Sequence, residues 1–574
     1  MFAEKLPSGF AMNKDILHNP KLDVTKKFLS AQVATGLAKN HVGSYAKAID
    51  GLKDLGNAWS YKLGVSFGLK DFAVLPERDA ILKEATKEAE HATKMGKPGA
   101  ELDKKLIEIY SGATTKLDVA AKNRWAHSDN RLGRMVYTGA RGKSEQLRQM
   151  VAAPMLVQDA LNRTLTTPVT KSFSEGLDLG EYWLTQSGAR KGTLQRSSGT
   201  RDPGAASKEI LNTTMSTLIT SPDCKTNQGV LMDIAHPDIH DRFLSAPYKL
   251  KDGVTVKEGT LLTPEITSRM KDQKVLVRSP LKCLHGDGIC AKCFGLNERG
   301  SPHPVGTNIG ILAGQSLGER AIQLSMNAFH SGGVAGGAGA GSIDMFTRLK
   351  QVLHMPKTLK NQATLAQVSG KISQITKDPA GGMNIVINGI GHSVDVKLVR
   401  PDMKVGVEVK KGDQISSGHV NPMQLLKTTK DIHAVQNYLT NELNTLYEKE
   451  GVRRRNVEVV VRALTNLTKV RDPGHSEYLH GDVLPRSVVE EHNRNLPKGH
   501  KPIDHAPILK GISEIPEQSS NWLGRLNFQE LHSTLQQAAA MGLKSDLHGS
   551  HPIPGMAYGA EFGKPPVGSK KHVY

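Results

Sequence analysis

Residues 323–333 read QLSMNAFHSGG. At 100° per residue Gln323, Met326, Asn327 and His330 fall on one helix face, polar except for Met326, while Leu324, Ala328 and Phe329 occupy the opposite arc. The apolar arc is wide enough to dock the helix and leave the polar stripe looking into a cavity. An ordinary amphipathic helix with a hydrogen-bonded histidine has the same pattern, so the neighbouring sequence has to decide.

At 574 residues the chain is too long for one core, and a prior of about 150 residues per domain gives about three or four units. The hydrophobic fraction of 38% and aromatic fraction of 5% are low for a self-contained enzyme. They fit a subunit that completes its cores against partner chains, or one rich in extended loops. The formal charge of +19 comes from 75 Lys and Arg against 56 Asp and Glu, dispersed along the chain. Dispersed positive charge suits a channel for a polyanion such as DNA, which carries one charge per about 1.7 Å; a merely soluble basic protein is the alternative. The opening MFAEKLPSGFAMNK has no apolar run of signal-peptide length, and no later stretch approaches the ~18 apolar residues of a membrane span. The expectation is a protein neither secreted by that route nor embedded in a membrane.

The four cysteines are too few for a disulfide scaffold. In CLHGDGICAKCFG, Cys290 and Cys293 have the spacing that lets two thiolates reach one ion, Cys283 adds a third, and Cys224 in SPDCKTNQG can close a tetrahedron. A closed four-sulfur site leaves no position for water and implies a structural zinc. Buried free thiols, or His285 as the fourth ligand, are the alternatives. HPDIHDRF places His236, Asp238, His240 and Asp241 together, but Pro237 interrupts any helical register, and a solvated loop is the expected reading.

RDAILKEATKEAEHATKMGK and ELDKKLIEIYSGATTKLDVAAKNRW carry i,i+4 charge pairs that predict a solvent-facing helical hairpin. In YTGARGKSEQLRQMVAAPM, Arg141 lies between glycines ahead of a helix start, where backbone and guanidinium together can hold phosphate. The stretch 175–218 predicts a long helix bent by Gly188, Gly192, Gly199 and Pro203-Gly204, since an interior glycine costs roughly 1 kcal/mol and a proline about 3; two shorter helices joined at SGTRDPG are the alternative. Alternation in VSGKISQI, MNIVINGIGHSVDVKLV and GVEVKKGDQI predicts a compact β module. Helical periodicity returns in IHAVQNYLTNELNTLYEKEGV and NFQELHSTLQQAAAMG, with a strand-like NVEVVVRAL between them and an irregular Pro-, Gly- and Lys-rich end. The fold class is therefore α+β, multi-domain and mainly helical.

In order along nearly the whole chain these motifs resemble the C-terminal half of the largest, β′-type subunit of multisubunit DNA-dependent RNA polymerases. TGARGKSEQLRQM is similar to the loop and helix behind the active site, LTQSGARKG to the bridge helix, and the four cysteines to that family's second zinc site. GILAGQSLGERAIQLSMNAFHSGGVAG is similar to the trigger helices and loop; YLTNELNTLYEKEGV, VVVRALTNLTKVRDPG and LNFQELHSTLQQAAAMG resemble the segments that follow.

The resemblance implies a helical secondary-channel rim over 1–137, an active-site-backing loop and helix over 138–170 and the bridge helix over 171–221. It also implies a four-cysteine zinc region over 222–300, trigger helices and loop over 301–350, a β-rich module over 351–425 and a helical C-terminal region with tail over 426–574. It assigns Gln323 to ribose, Met326 to the base, and His330 to the triphosphate as a positional cation or proton donor, with Arg141 a further triphosphate contact. The glycines at 332, 333, 336, 337, 339 and 341 would keep the loop open until substrate closes it.

Asn327 replaces the family's usual arginine, and Arg320 replaces the proline of G-E-P. TRDPG leaves Thr200 and Arg201 imperfectly matched to the template-touching bend, beside Arg190 and Lys191 of the same segment. No NADFDGD motif occurs in these 574 residues. The resemblance therefore implies that the magnesium-binding aspartates lie on another, N-terminal β′-like chain, and that this chain is inactive alone. Further implied partners are β-like subunits, template DNA, transcript RNA, NTPs and a phage specificity factor. This division of β′ is similar to the split polymerases of giant bacteriophages, which implies the host cytoplasm or the virion as location. A reading from another class is a non-enzymatic zinc-containing DNA-binding or virion structural protein derived from a polymerase fold.

Overall fold

Alanine spacing organises a helical hairpin in the first part of the chain. Helix α1 (Arg78–Met95) buries Ala85, Ala89 and Ala92 on one stripe, and α2 (Ala100–Trp125) meets it with Tyr110, Ala113, Leu117, Ala121 and Trp125. The charged faces stay outward: Lys116 and Glu84 pair at 3.0 Å with both side chains more than half exposed, a contact worth little in water. The computed structural model describes residues 2–558 except 11–24, 65, 97, 126–128, 160–162, 200, 287, 299, 330–344, 360, 378–381, 396, 397, 399, 401, 517–521, 527–530 and 546–550.

The chain divides into two compact units, Met1–Ser198 with Asn327–Ser342, and Gly199–Met326 with Ile343–Tyr574. Sequence length alone suggests three or four. The number is lower because one continuous apolar core in the second unit runs from Ala206 to Ile512 and gathers segments that the sequence keeps apart.

In the first unit, helix α3 (Ser144–Val151) buries Leu147, Arg148 and Val151. The Arg148 guanidinium donates to the carbonyls of Ala153 and Pro154, each at 2.8 Å, and to Asp118 at 3.0 Å, fixing the turn where Met155 takes φ +66°. In helix α4 (Leu179–Ser198) Tyr182, Trp183 and Leu194 are exposed, while Leu184 packs against the small core of Val157 and Val169.

The second unit begins with helix α5 (Arg201–Thr214). The predicted long helix is thus two described helices on either side of 199–200. Pro203 sits in the first turn of α5, where its missing N–H has no helical partner to lose. Strand β1 (Ile219–Ser221), β2 (Val230–Asp233), β3 (Lys274–Val277) and β4 (Ile289–Cys290) follow; β1 pairs parallel with β4 and β2 antiparallel with β3. A one-turn helix α6 (Ala291–Phe294) precedes α7 (Ile309–Phe329), and α8 (Met345–His354) comes after it.

The expected alternation over 363–420 forms a four-stranded antiparallel sheet of β5 (Gly370–Lys377), β6 (Gly382–Ile387), β7 (Ile390–Asp395) and β8 (Glu408–Val409), in the order β8-β5-β6-β7. Its inward residues Ile372, Ile385, Ile387, Val394 and Val409 make a small core of their own. Helix α9 (Ile432–Tyr447) then buries Val435, Leu439, Leu443 and Tyr447, and the Tyr447 hydroxyl donates to the Leu317 carbonyl at 3.0 Å.

Two expectations fail after residue 450. The strand-like NVEVVVRAL is helix α10 (Arg454–Leu464). Val457, Val460 and Val461 enter the large core and Val459 the core around the cysteines, with Arg455, Glu458 and Arg462 also buried, so tertiary burial overrides β-branched propensity. The region after it, expected to be mainly helical, also holds a three-stranded antiparallel sheet of β9 (Leu467–Asp472), β10 (Val483–Pro485) and β11 (Asp504–Ile508), with helix α11 (Arg486–Asn495) between the last two.

Candidate functional site

Two small-scale devices position the site. The first is the spacing of Gly310, Gly314 and Gly318, one every fourth residue along α7. A Cβ at Gly310 would stand 1.8 Å from the Thr214 carbonyl oxygen, one at Gly314 would stand 3.2 Å from Leu211 Cα, and one at Gly318 would stand 2.2 Å from Ser207 Oγ. The glycines therefore allow α7 to cross α5 with backbones in contact, and Thr214 Oγ1 donates to the Gly310 carbonyl at 2.8 Å. Beside the stripe, on the adjoining part of the same face, Ala313, Leu317, Ala321 and Leu324 enter the cores.

Gln323 is half-buried on α7 and accepts a hydrogen bond at Oε1 from Arg320 at 2.7 Å. Its amide is thus engaged by the arginine that stands in place of the family's proline. The backbone is helical through Met326, Asn327 and Phe329, but the side chains of Met326 and Asn327, and all of His330, lie outside the described residues. The same holds for Thr200 and for the Lys191 side chain. Arg190 and Arg201 are exposed, on α4 and at the start of α5 respectively.

Arg141 is exposed in the first unit, between Gly139 and Gly142, whose φ angles of +74° and +80° shape the turn. Beside it Thr138, Gly139 and Ser144 share a cavity of about 680 Å³ with Lys26, Lys27 and Lys122; Arg141 itself is not in the lining.

The second device is the cysteine cluster. The parallel pairing of β1 and β4 sets Ser221 opposite Cys290 and brings the loop carrying Cys224 to the turn carrying Cys290 and Cys293. The four sulfurs of Cys224, Cys283, Cys290 and Cys293 lie within 4.8 Å of one another, and Cys224 and Cys293 are 3.7 Å apart. Tetrahedral zinc with bonds of about 2.3 Å separates its sulfurs by about 3.8 Å, so the set fits that ion. Backbone N–H groups already point at sulfur: Cys290 donates to Cys283 Sγ at 3.3 Å and Cys293 to Cys290 Sγ at 3.4 Å. Buried Arg278 donates to Cys224 Sγ at 3.6 Å and to Asp223 at 2.7 Å.

His285 is not in the cluster; its Nε2 is 2.6 Å from Ser221 Oγ. Among the described residues this is the one grouping of His, Cys, Asp and Glu able to hold a metal.

Thiols so close divide their protons unequally. Hydrogen bonds from Cys283, Cys290 and Cys293 hold Cys224 far below the usual thiol range, while bonding to Cys224 and Cys283 pushes Cys290 up. Cys293 is pushed up too, first by Cys224. A divalent cation removes this conflict by letting all four ionise.

The HPDIHDRF stretch is not a solvated loop. It forms a short 3-10 turn, Pro237–Asp241, with Ile239 fully buried. Asp238 accepts the Arg454 backbone N–H at 2.5 Å at the start of α10, and Asp241 pairs with Arg453. Its acids hold a helix end. Behind them Arg242 and Glu458 form a buried ion pair at 2.9 Å, and Ser279 Oγ donates to the same carboxylate at 2.9 Å.

Sequence reasoning missed Arg278, Arg462, the bond from Arg320 to Gln323 and the glycine stripe. Only the stripe has a local signal, the four-residue repeat in GILAGQSLG.

Residues 176–515 match the family model described as RNA polymerase Rpb1, domain 5. That is more than half of the chain, and the protein belongs to this family. It is similar to the DNA-directed RNA polymerase subunit beta' of Bacillus licheniformis, 28% identical over 579 residues, covering 95% of this chain and 48% of the relative. The Bacillus subtilis subunit beta' is 29% identical over 584 residues, covering 95% and 48%, and that of Thermus thermophilus is 29% identical over 543 residues, covering 88% and 35%. The chain thus spans about half or less of the length of these curated relatives. Among the described residues no helix is long and apolar enough to cross a membrane.

Proposed function

We propose that this chain is a C-terminal part of the β′-type subunit of a multisubunit DNA-dependent RNA polymerase, divided as in giant bacteriophages, and that it contributes to template-directed nucleotidyl transfer. The observation that carries the reading is the ordered match to β′ subunits along 95% of the chain, which takes in the bridge-like, cysteine and trigger-like segments together.

In this reading α4 and α5 are the halves of the bridge helix, with Arg190, Lys191, Thr200 and Arg201 toward the template. The exposed Tyr182, Trp183 and Leu194 of α4 suit a helix that spans between partners. α7 is the first trigger helix. Its glycine stripe fixes the base against α5, so closure over a nucleotide falls to the residues beyond, where Gln323 addresses ribose, Met326 the base and His330 the triphosphate. Asn327 and Arg141 complete the substrate contacts.

His330 has a near-neutral intrinsic pKa and can serve either as a cation that positions the phosphates or as the proton donor to pyrophosphate. Arg320, by holding Gln323 Oε1, leaves the amide N–H2 free to donate to a ribose oxygen.

Cys224, Cys283, Cys290 and Cys293 would hold zinc in a closed structural site. Magnesium, when bound, supplies activation of the RNA 3′-hydroxyl and neutralises the phosphates. The aspartates for it are assigned outside these residues, on an N-terminal β′-like partner that joins β-like subunits, DNA, RNA, NTPs and a phage specificity factor. The net charge of +19 supports a nucleic-acid channel, in the host cytoplasm or packaged in the virion.

The test is purification of the tagged full chain with its native partners, mass spectrometry of what accompanies it, and an assay of template-directed RNA synthesis. The expected result is a co-purifying chain with an aspartate triad and activity in the complex alone. A chain that purifies with DNA or capsid components, without polymerising activity in any fraction, would support the non-enzymatic reading.

A further inference from the structure

The loop between Cys283 and Cys290 is gripped by helices that lie 174 to 210 residues further along the chain. Arg462 of α10, only 8% exposed, spends its guanidinium on four backbone carbonyls: Pro280 at 2.6 Å, Cys283 at 3.2 Å, His285 at 2.6 Å and Gly288 at 3.2 Å. Helix α11 takes further groups of the same turn. Ser487 Oγ donates to the Gly286 carbonyl at 2.7 Å, Glu491 accepts the Gly286 N–H at 2.8 Å, and Arg494 donates to the Leu284 carbonyl. The carbonyls of residues 283 to 286 are therefore all held from outside the loop.

A six-residue loop between two ligands has far more conformations than the one that points both sulfurs at an ion, and ordering it costs conformational entropy at every residue. The local sequence supplies little to offset this, because Gly286 and Gly288 loosen it further. A Cβ at Gly286 would lie 3.2 Å from Val488 Cα and 3.3 Å from the Ser487 carbonyl oxygen, so α11 packs directly against the loop backbone.

We propose that Arg462 is a positioning residue of the metal centre, holding the Cys283–Cys290 loop in its ligating shape, so that the ion and the packing of α10 and α11 are retained or lost together. Linkage requires the reciprocity: if docked helices strengthen ion binding, the bound ion strengthens their docking by the same factor. The site is then a staple between residues 219–295 and 454–495. This goes beyond the transcription reading and rests only on its metal-binding part.

The full chain, loaded with zinc under reducing conditions, is challenged with a chromogenic zinc chelator while hydrogen exchange is followed on the same sample. Arg462→Met should release zinc about tenfold faster or more than the parent, the size expected for an outer-shell partner, with Arg462→Lys between the two. Glu491→Ala, at a half-exposed position, should give a smaller increase and keeps the test open if the arginine variant does not fold. Chelation of the parent should raise amide exchange across 462–494 and leave the β5–β8 sheet unchanged. A folded Arg462→Met chain that releases zinc at the parental rate overturns the proposal, as does unchanged protection of 462–494 after chelation. A parent chain that takes up no zinc overturns the metal reading itself and this inference with it.

Discussion

In α1 the small residues at the helix contact are alanines, whereas in α7 they are glycines. Ala85, Ala89 and Ala92 meet α2 across an ordinary methyl-thick layer, and the rest of the hairpin surface is charged and wet. Gly310, Gly314 and Gly318 admit no methyl at all, because α5 supplies a carbonyl, a Cα and a hydroxyl where each Cβ would go. The hairpin can change one side chain and lose only that side chain's contribution. In the α5–α7 crossing an atom added at Gly310 presses straight on the Thr214 backbone, so the two helices are held at a fixed approach.

Gly310→Ala should break this contrast open. Its methyl would sit 1.8 Å from the Thr214 oxygen, so α5 or α7 must shift, at a cost toward the upper end of the roughly 1–3 kcal/mol usual for overpacking. Calorimetric unfolding of the full chain should show a clearly lowered transition, and an unchanged one would mean the helices do not cross this closely. Ala89→Gly should be milder, about 1 kcal/mol from lost helix propensity, since removing a methyl from the hairpin leaves backbones where they are. A loss as large as that of Gly310→Ala would erase the distinction between the two contacts.

What the sequence discloses follows the same line. Local rules apply where the decisive partner is a few residues away: the charged hairpin, the alternating β module and the cysteine spacing are all readable from short windows of sequence, and each has a described counterpart. They fail where the partner is remote. Val457 to Val461 look like a strand until the core that surrounds them is known, and Arg462 looks like a surface cation until its four carbonyls arrive from residues 280 to 288. The acids of HPDIHDRF suggest a ligand set or a loop, and only the approach of α10 shows that Asp238 is a helix cap. His285, an open alternative for the fourth ligand, is decided by Ser221, sixty-four residues away. Gln323 is readable as polar and inward, but its engagement by Arg320 is not, because an i,i+3 pair on a helix is only one of several rotamer choices.

The measurement closest to the central claim is the single-nucleotide addition rate of the assembled enzyme carrying His330→Ala. If this polypeptide supplies the closing element over the incoming nucleotide, addition should slow by well over tenfold, a lost general acid costing typically about 10²–10⁴-fold, while subunit composition stays the same. Addition at the parental rate by an intact complex would contradict the account.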